Sequence, residues 1–299
     1  MSIFAIVFAN VTRYFFQNNL KLHIYFDTIE VTNNICEVKT MKLGAQFYSI
    51  RDLTQTPEGL ESAFAQMKSI GYDIAQLSKI GNIDASFIRE LVAKYEMPVT
   101  CTHIPFDQIV NHTEAVIRDH IIYGCPTVGL GAMPEECRKS FAGVREFVKV
   151  MREPIAKIED AGLRFAYHNH SFEFNAPEGG DYFDVLVEEL PTLNFILDTF
   201  WLVYANREPM KYIRDLGPAR IQNVHFKDML EYHTELEQSG WRHNLICPCG
   251  TGIIDFKPII TLCDALGIPN ALVEQDNAPD TGDSVGQMRI SHDNLRPLF

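Results

Sequence analysis

Five side chains that can bind a divalent metal lie at the ends of four short apolar segments. His168 and His170 end the segment RFAYHNH, Asp198 ends LNFILD, His225 ends IQNVH, and Glu274 ends NALVE. Each segment is rich in Val, Ile, Phe or Leu and precedes a helical pattern, which is typical of buried parallel strands. The carboxyl ends of such strands are where α/β folds gather their ligand sites. The sequence therefore predicts a site built from imidazoles and carboxylates at one end of a parallel sheet.

The elements that would position these groups repeat along the chain from Met41 onward. Apolar strand-like segments alternate eight times with amphipathic helical patterns over residues 41–299, close to the ~250 residues of a (β/α)8 barrel. The predicted strands lie near 43–49, from 74, at 98–104, from 127, and at 164–170, 193–199, 221–227 and 270–275. An open, doubly wound sheet is the alternative, but no glycine-rich dinucleotide fingerprint follows the first strand, and polar groups end many strands. We therefore predict an α/β fold, a single-domain TIM barrel.

Residues 1–40 do not share this pattern. They contain an apolar run, Ile3 to Ala9, without the basic residue or the small-residue cleavage pattern of a signal peptide. Met41 then opens the first convincing strand. We interpret residues 1–40 as an N-terminal extension that is disordered or lies outside the natural product, with an accessory hairpin as the alternative, and residues 41–299 as the barrel.

Composition and charge exclude several classes of protein. The chain has 299 residues, 46% of them hydrophobic, and a formal net charge of −13, which argues against a protein that holds nucleic acid by its phosphates. Seven cysteines lack the spacing of a disulfide framework, so we expect reduced thiols and a cytoplasmic protein. No stretch approaches the roughly 20 apolar residues of a membrane helix, so no membrane partner is expected.

The motifs of the second half resemble one family. The stretches AYHNHSFEF, LDTFW, VHFKD, GTGIIDFKPII and ALVEQD are similar to those of the xylose-isomerase-like TIM barrel superfamily, the sugar phosphate isomerase/epimerase group. The resemblance implies one divalent ion at the barrel mouth, with manganese expected and magnesium, cobalt or zinc as alternatives. It implies that Asp198, His225 and Glu274 are metal ligands. The ligand on strand 5 is commonly a glutamate in the epimerases, whereas the matching position here is His168, which departs from epimerisation by two glutamates.

This donor set agrees with the chemistry of the site. Two imidazoles and two carboxylates suit manganese, zinc or cobalt. A bound ion can hold two sugar oxygens and polarise a carbonyl, after which a carboxylate or an imidazole can remove the neighbouring proton. Isomerisation, epimerisation and β-elimination share that first step.

Other residues are candidates for catalysis or substrate binding. We expect Glu274 to abstract the proton and His170, two residues beyond His168 on the same predicted strand face, to return it. Glu173 is either a second acid or base or a surface charge. The predicted substrate-binding residues are a pocket histidine, a stacking ring beyond Asp198, and a lysine that pairs with an acid or binds substrate: His103, Trp201 and Lys227.

The sequence thus predicts a metal-dependent isomerase or epimerase acting on a small-molecule sugar, sugar phosphate or polyol. A lyase or dehydratase acting on an inosose or a 3-keto-glycoside is the alternative, and a non-catalytic sugar-binding barrel is another. A DNA-repair endonuclease of similar fold is disfavoured by the acidic charge and the single apparent site. Substrate identity and oligomeric state stay open, with a homo-oligomer among the allowed states.

Overall fold

Eight parallel strands form one sheet in the computed structural model, which describes residues 41–231 and 245–299. These strands are β1 (Lys42–Gln46), β2 (Ile74–Ser78), β3 (Val99–His103), β4 (Thr127–Leu130), β5 (Arg164–His168), β6 (Asn194–Asp198), β7 (Ile221–Phe226) and β10 (Asn270–Val273). Two short strands, β8 (Asp228–Met229) and β9 (Ile246–Cys247), pair antiparallel beside them. All eight predicted strand–helix units are therefore present.

The sheet curls into a nearly closed barrel. Its strand order is β3-β2-β1-β10-β7-β6-β5-β4, so β3 and β4 are the two edges that must meet. They approach where the Ile104 amide donates a hydrogen bond of 2.8 Å to the Gly129 carbonyl. A Cβ atom at Gly129 would lie 2.0 Å from the Thr102 carbonyl oxygen, so only glycine allows this approach. The TIM barrel prediction is confirmed.

Helices cover the outside of the barrel between successive strands. They are α1 (Pro57–Ile70), α2 (Ala85–Tyr95), α3 (Phe106–Asn111), α4 (Thr113–Tyr123), α5 (Phe141–Asp160), α6 (Tyr182–Glu189), α7 (Thr199–Tyr204), α8 (Pro209–Arg220), α9 (Phe256–Leu266) and α10 (Ser284–Leu295). Short 3-10 turns occupy Phe47–Ile50, Glu135–Lys139, Phe172–Phe174, Pro279–Thr281 and Arg296–Leu298.

Helix α1 shows how the sequence specifies these elements. The Thr56 hydroxyl accepts a hydrogen bond of 3.1 Å from the Gly59 amide and caps the amino end. Phe64 and Met67 lie on the stripe that the sequence predicts to be apolar, and both are fully buried. Burial of each such side chain stabilises the fold by about 1.5–3 kcal/mol. Gly71 ends the helix with a φ of +117°, a conformation that favours glycine.

Strands 1 and 5 end three and two residues earlier than predicted, and both ends lie at the site. Strand 1, predicted to reach residue 49, stops at Gln46, whose Oε1 accepts the Tyr48 amide at 2.9 Å and starts a 3-10 turn. Strand 5, predicted to reach residue 170, stops at His168, because the Glu173 carboxylate accepts the His170 amide at 2.8 Å and turns the chain. A local side-chain bond replaces the sheet ladder in both places.

One buried carboxylate organises the loop after β9. Asp228 accepts hydrogen bonds of 2.8–3.1 Å from four backbone amides, those of Met229, Gly250, Gly252 and Ile254. A Cβ atom at Gly252 would lie 2.3 Å from the Met229 carbonyl oxygen and 2.6 Å from Asp228 Oδ1. The glycine-rich segment of the sequence is thus required for this close packing.

Two further expectations from the sequence concern membrane helices and disulfide bonds. Across the two described ranges, no helix has the length and apolar character needed to span a bilayer. The six cysteines of the described ranges are free thiols. The interpretation of residues 1–40 lies outside the described residues and stays a prediction.

Candidate metal centre

Four of the predicted groups converge at the carboxyl end of the barrel. Each offers one ligand atom, all of these atoms lie within 4.8 Å of one another, and all four side chains are buried: His168, Asp198, His225 and Glu274. His168 and Asp198 are the last residues of β5 and β6, His225 lies near the end of β7, and Glu274 follows β10 directly. Neighbouring parallel strands therefore bring together residues that are up to 106 positions apart in the chain.

Bonds to the surrounding backbone aim the first two of these side chains. His168 places Nδ1 3.1 Å from the Gly131 carbonyl oxygen, which can only accept, so this nitrogen carries the proton and Nε2 faces the cluster. Asp198 caps helix α7, because its Oδ1 accepts the Trp201 amide at 3.1 Å. Its Oδ2 lies 3.2 Å from His168 Nε2. Each residue thus has one atom fixed outside the cluster and one turned into it.

Two glutamines aim the other two ligands. His225 Nε2 lies 2.7 Å from Gln76 Oε1, and His225 Nδ1 lies 2.8 Å from Glu274 Oε2. Gln46 Nε2 donates a hydrogen bond of 3.2 Å to Glu274 Oε1. Sequence reasoning missed both glutamines, although an amide inside an apolar strand such as AQF or IAQLS must find a polar partner when buried.

Lys227 lies among the carboxylates of the cluster and is buried. Its Nζ lies 2.9 Å from Glu274 Oε2, 3.1 Å from Asp198 Oδ2 and 3.1 Å from Asp276 Oδ1. Burial lowers the pKa of Lys227, but the three carboxylates outweigh it and hold this pKa well above its ordinary value. The lysine therefore stays charged. Asp276, which the sequence analysis also missed, lies two residues past Glu274 in ALVEQD, a spacing that could have identified it.

The donor set fits a divalent cation. Burial raises the pKa values of Asp198 and Glu274, yet Lys227 and the neighbouring histidines bring both below their ordinary values, so both carboxylates are ionised at neutral pH. These two ionised carboxylates face one ammonium group, that of Lys227, which leaves negative charge in excess. A divalent ion held by two nitrogens and two oxygens would neutralise that excess, and such donors suit zinc, manganese or cobalt.

His103 and His170 lie beside the cluster. The rings of His103 and His168 are 5.1 Å apart, and those of His170 and His168 are 4.8 Å apart. Burial and the neighbouring His168 hold the pKa values of His103 and His170 well below the ordinary value, so both rings are neutral. His103 Nε2 is buried without a hydrogen-bond partner among the described residues. His170 was expected to share a strand face with His168, but it lies in the loop past β5 and reaches the site from there.

Glu173 and Trp201 are buried next to His170. Glu173 is fully buried and accepts hydrogen bonds from the Tyr167 hydroxyl at 2.6 Å and from the His170 amide. It is therefore no surface charge, and burial raises its pKa to about 7. The Trp201 ring is 5% exposed and packs against His170, with the Lys227 ammonium 5.4 Å from its ring centre. Little of this ring is left for a sugar to stack on, and its role in binding substrate stays a prediction.

A cavity of about 990 Å³ opens onto the cluster. His168, His170, Lys227 and Glu274 form part of its polar wall. The loops after β2 and β3 contribute an apolar wall that includes Ile80, Ile83 and Phe106, together with His103. The cavity therefore joins the buried metal ligands to a space with both polar and apolar surfaces.

Comparisons with known proteins place this chain in a family. The family described as the xylose isomerase-like TIM barrel matches residues 64–296. A sugar phosphate isomerase/epimerase from Parabacteroides distasonis is 20% identical with a TM-score of 0.67, covering 85% of this chain and 98% of its own. No curated protein matches the sequence significantly.

Two other solved structures share the fold and differ in their described chemistry. A probable 3-DHS dehydratase of petrobactin synthesis from Bacillus anthracis is 14% identical with a TM-score of 0.63, covering 84% of this chain and 98% of its own. The IOLI protein, solved with a bound zinc atom, is 12% identical with a TM-score of 0.64, covering 86% of this chain and 98% of its own. These likenesses show the fold, and the family match covers most of the chain. This protein therefore belongs to the xylose isomerase-like TIM barrel family.

Proposed function

We propose that this protein is a divalent-metal-dependent isomerase or epimerase of a sugar, a sugar phosphate or a polyol, which works by removing a proton beside a carbonyl group. The observation that carries the proposal is the convergence of four buried ligand atoms within 4.8 Å of one another at the wall of a large cavity. A divalent ion held by His168, Asp198, His225 and Glu274 would polarise the substrate carbonyl and acidify the neighbouring C–H bond. Manganese is the ion we propose, with magnesium, cobalt and zinc as alternatives.

Glu274 and His170 are the proposed acid–base pair. Glu274 is ionised and lies at the wall of the cavity, so its carboxylate can accept the substrate proton. His170 is neutral, so its ring has a nitrogen lone pair that can accept or pass on a proton. The two side chains line one cavity, so a substrate bound there would contact both.

His103 and Lys227 are the proposed substrate-binding residues. The unpartnered Nε2 of His103 is suited to a sugar hydroxyl, because a buried polar atom without a partner is costly and a ligand would satisfy it. The Lys227 ammonium is fixed by three carboxylates and can stabilise negative charge that develops on a substrate oxygen. Glu173 is proposed to support His170 by binding its backbone amide.

A lyase or dehydratase is the second candidate. It is favoured by His168 at the position where epimerases of the group commonly have a glutamate, and by the size of the cavity. A volume of about 990 Å³ is near the upper end of the 300–1,000 Å³ of typical small-molecule sites, which leaves room for a glycoside. Loss of water or an alkoxide from an inosose or a 3-keto-glycoside begins with the same proton removal.

The test is incubation in deuterated water with added Mn²⁺ and a panel of ketoses, inososes and 3-keto-glycosides. Deuterium at the carbon beside the carbonyl of an isomerised or epimerised product would support the proposal. Elimination of water or alcohol would favour the lyase. Metal and sugar binding without exchange or turnover would overturn both in favour of a non-catalytic barrel. Asp198→Ala, which removes a proposed ligand, should lose either activity. Asp283→Ala, which removes a cap of α10 outside the cavity wall, is its matched control in each assay.

A further inference from the structure

Both ring nitrogens of His225 face an oxygen atom, but a neutral imidazole can donate only one hydrogen bond. Nε2 lies 2.7 Å from Gln76 Oε1, and Nδ1 lies 2.8 Å from Glu274 Oε2. Both of these oxygens are acceptors, and a neutral ring carries one N–H group. An imidazole that binds a metal ion does so in its neutral form. One of the two nitrogens therefore presents a lone pair.

The surroundings decide which nitrogen carries the proton. Glu274 Oε2 already receives the Lys227 ammonium at 2.9 Å, and Oε1 receives the Gln46 amide. Gln76 is fully buried within β2, and His225 Nε2 is the hydrogen-bond partner of its Oε1. A proton on Nδ1 would leave the Gln76 oxygen facing a lone pair, and a buried acceptor without a donor costs about 1–3 kcal/mol.

We propose that Gln76 is a positioning residue that holds His225 as the Nε2–H tautomer and thereby directs the Nδ1 lone pair into the cluster. A metal-bound histidine commonly has its second nitrogen fixed by such a partner. The consequence for metal binding rests on the proposed function, whereas the tautomer is a property of the metal-free protein. Gln46 acts on a different ligand, because it binds Glu274 Oε1.

The test uses two variants of Gln76. Gln76→Met keeps the length of the side chain and removes the acceptor, whereas Gln76→Glu keeps an acceptor. Two-bond ¹H–¹⁵N correlation spectra of the metal-free protein, with the His225 signals assigned by a His225→Gln variant, report the tautomer directly. We expect Nε2–H in the wild type and in Gln76→Glu, and a shift toward Nδ1–H in Gln76→Met. Gln66→Met, which removes an exposed bond to Ser62 on helix α1, is the matched control and should leave the His225 tautomer unchanged.

Calorimetric titration with Mn²⁺ or Zn²⁺ gives the second readout. Gln76→Met should bind the ion roughly 10–100-fold more weakly, and Gln76→Glu should restore tight binding. A wild-type ring protonated at Nδ1, or a Gln76→Met variant with unchanged tautomer and affinity, would overturn the inference. If Gln76→Met fails to fold in a melting experiment, the wild-type and Gln76→Glu spectra decide. Absence of any metal binding by the wild type would instead refute the proposed function.

Discussion

The Lys227 ammonium nitrogen lies 2.9 Å from Glu274 Oε2, the carboxylate oxygen that faces the metal ligands. The same nitrogen lies 3.1 Å from Asp198 Oδ2. Lysine and a metal ion would therefore share two oxygens, and the positive charge of one opposes the binding of the other. Lys227 therefore stabilises the metal-free cluster, and it competes with a metal ion for these carboxylate oxygens.

Replacement of Lys227 should separate these two effects. Lys227→Met leaves buried carboxylates unpaired, so the metal-free protein should lose about 3–5 kcal/mol of stability. Metal should bind the variant more tightly, so the rise in melting temperature on adding Mn²⁺ should exceed that of the wild type. Scanning calorimetry with and without metal measures both quantities. Lys211→Met, which breaks an exposed pair with Asp215, is the control. A smaller metal-induced rise than in the wild type would contradict the competition.

Asp198 combines a ligand atom with a helix cap, and two variants divide these roles. Asp198→Asn keeps an oxygen for the Trp201 amide, whereas Asp198→Ala loses it. Both should lose most metal binding, because the anionic Oδ2 is removed. Asp198→Ala should be less stable than Asp198→Asn by ~1 kcal/mol in chemical denaturation. Full metal occupancy in Asp198→Ala, measured by elemental analysis, would remove Asp198 from the ligand set.

Glu173 should make the stability of the fold depend on pH. Burial raises its pKa from 4.5 to about 7, so the folded protein holds this proton between those values and the unfolded chain does not. Stability from this group is therefore fully present below pH 4.5 and is lost as the pH rises through 7. The free energy of unfolding of the wild type, relative to that of Glu173→Gln, should fall by on the order of 3 kcal/mol across this window.

Urea denaturation at several pH values, in the presence of a chelator, measures that difference in free energy. Glu153→Gln, at an exposed position of α5, is the control and should follow the wild type at every pH. A constant difference between the wild type and Glu173→Gln would show that Glu173 is already ionised in the fold.

Proton transfer should depend on Glu274 and His170 in different ways. Glu274→Gln should lose solvent exchange at the substrate carbon and weaken metal binding, because a ligand anion is replaced by a neutral amide. His170→Ala should lose exchange with metal occupancy intact, because its ring lies beside the cluster. Deuterium incorporation followed by mass spectrometry, paired with metal analysis, distinguishes the two. Normal exchange in both variants would shift the acid–base role to Glu173 or Lys227.

A shortened chain that begins at Met41 should keep its fold and metal binding. It contains every barrel strand and every proposed site residue. We expect its melting temperature to change by a few degrees, on the scale of ~1 kcal/mol. Loss of solubility or a large fall in melting temperature would show that residues 1–40 contribute to the packed protein.

The limits of sequence reasoning are visible at particular residues. Asp198, His225 and Glu274 were found because a charged or polar group ending an apolar strand is conspicuous and the motifs resemble a known family. Gln46 and Gln76 were missed because the pattern of a strand does not show which residue on a neighbouring strand an inward side chain meets. Which side chains meet inside the barrel depends on the order and register of its strands.

The position of His170 illustrates a second limit. Its spacing from His168 predicted a shared strand face, but the Glu173 carboxylate captures the His170 amide and ends the strand. The competition between a sheet hydrogen bond and a local side-chain bond is decided by burial, which the sequence alone does not reveal. Burial also decides one of the two alternatives for Glu173, because its fully buried carboxylate is no surface charge.

The four backbone bonds to Asp228 have a consequence for how this protein can diversify. They connect the residues after β7 to the glycine-rich turn after β9. The chain is therefore held in place on both sides of residues 232–244. Changes of length or sequence within 232–244 are therefore expected to leave His225 and Lys227 in register. Length and sequence can therefore vary between these two anchored ends while the metal ligands stay unchanged, which is a structural route to diversity within one barrel.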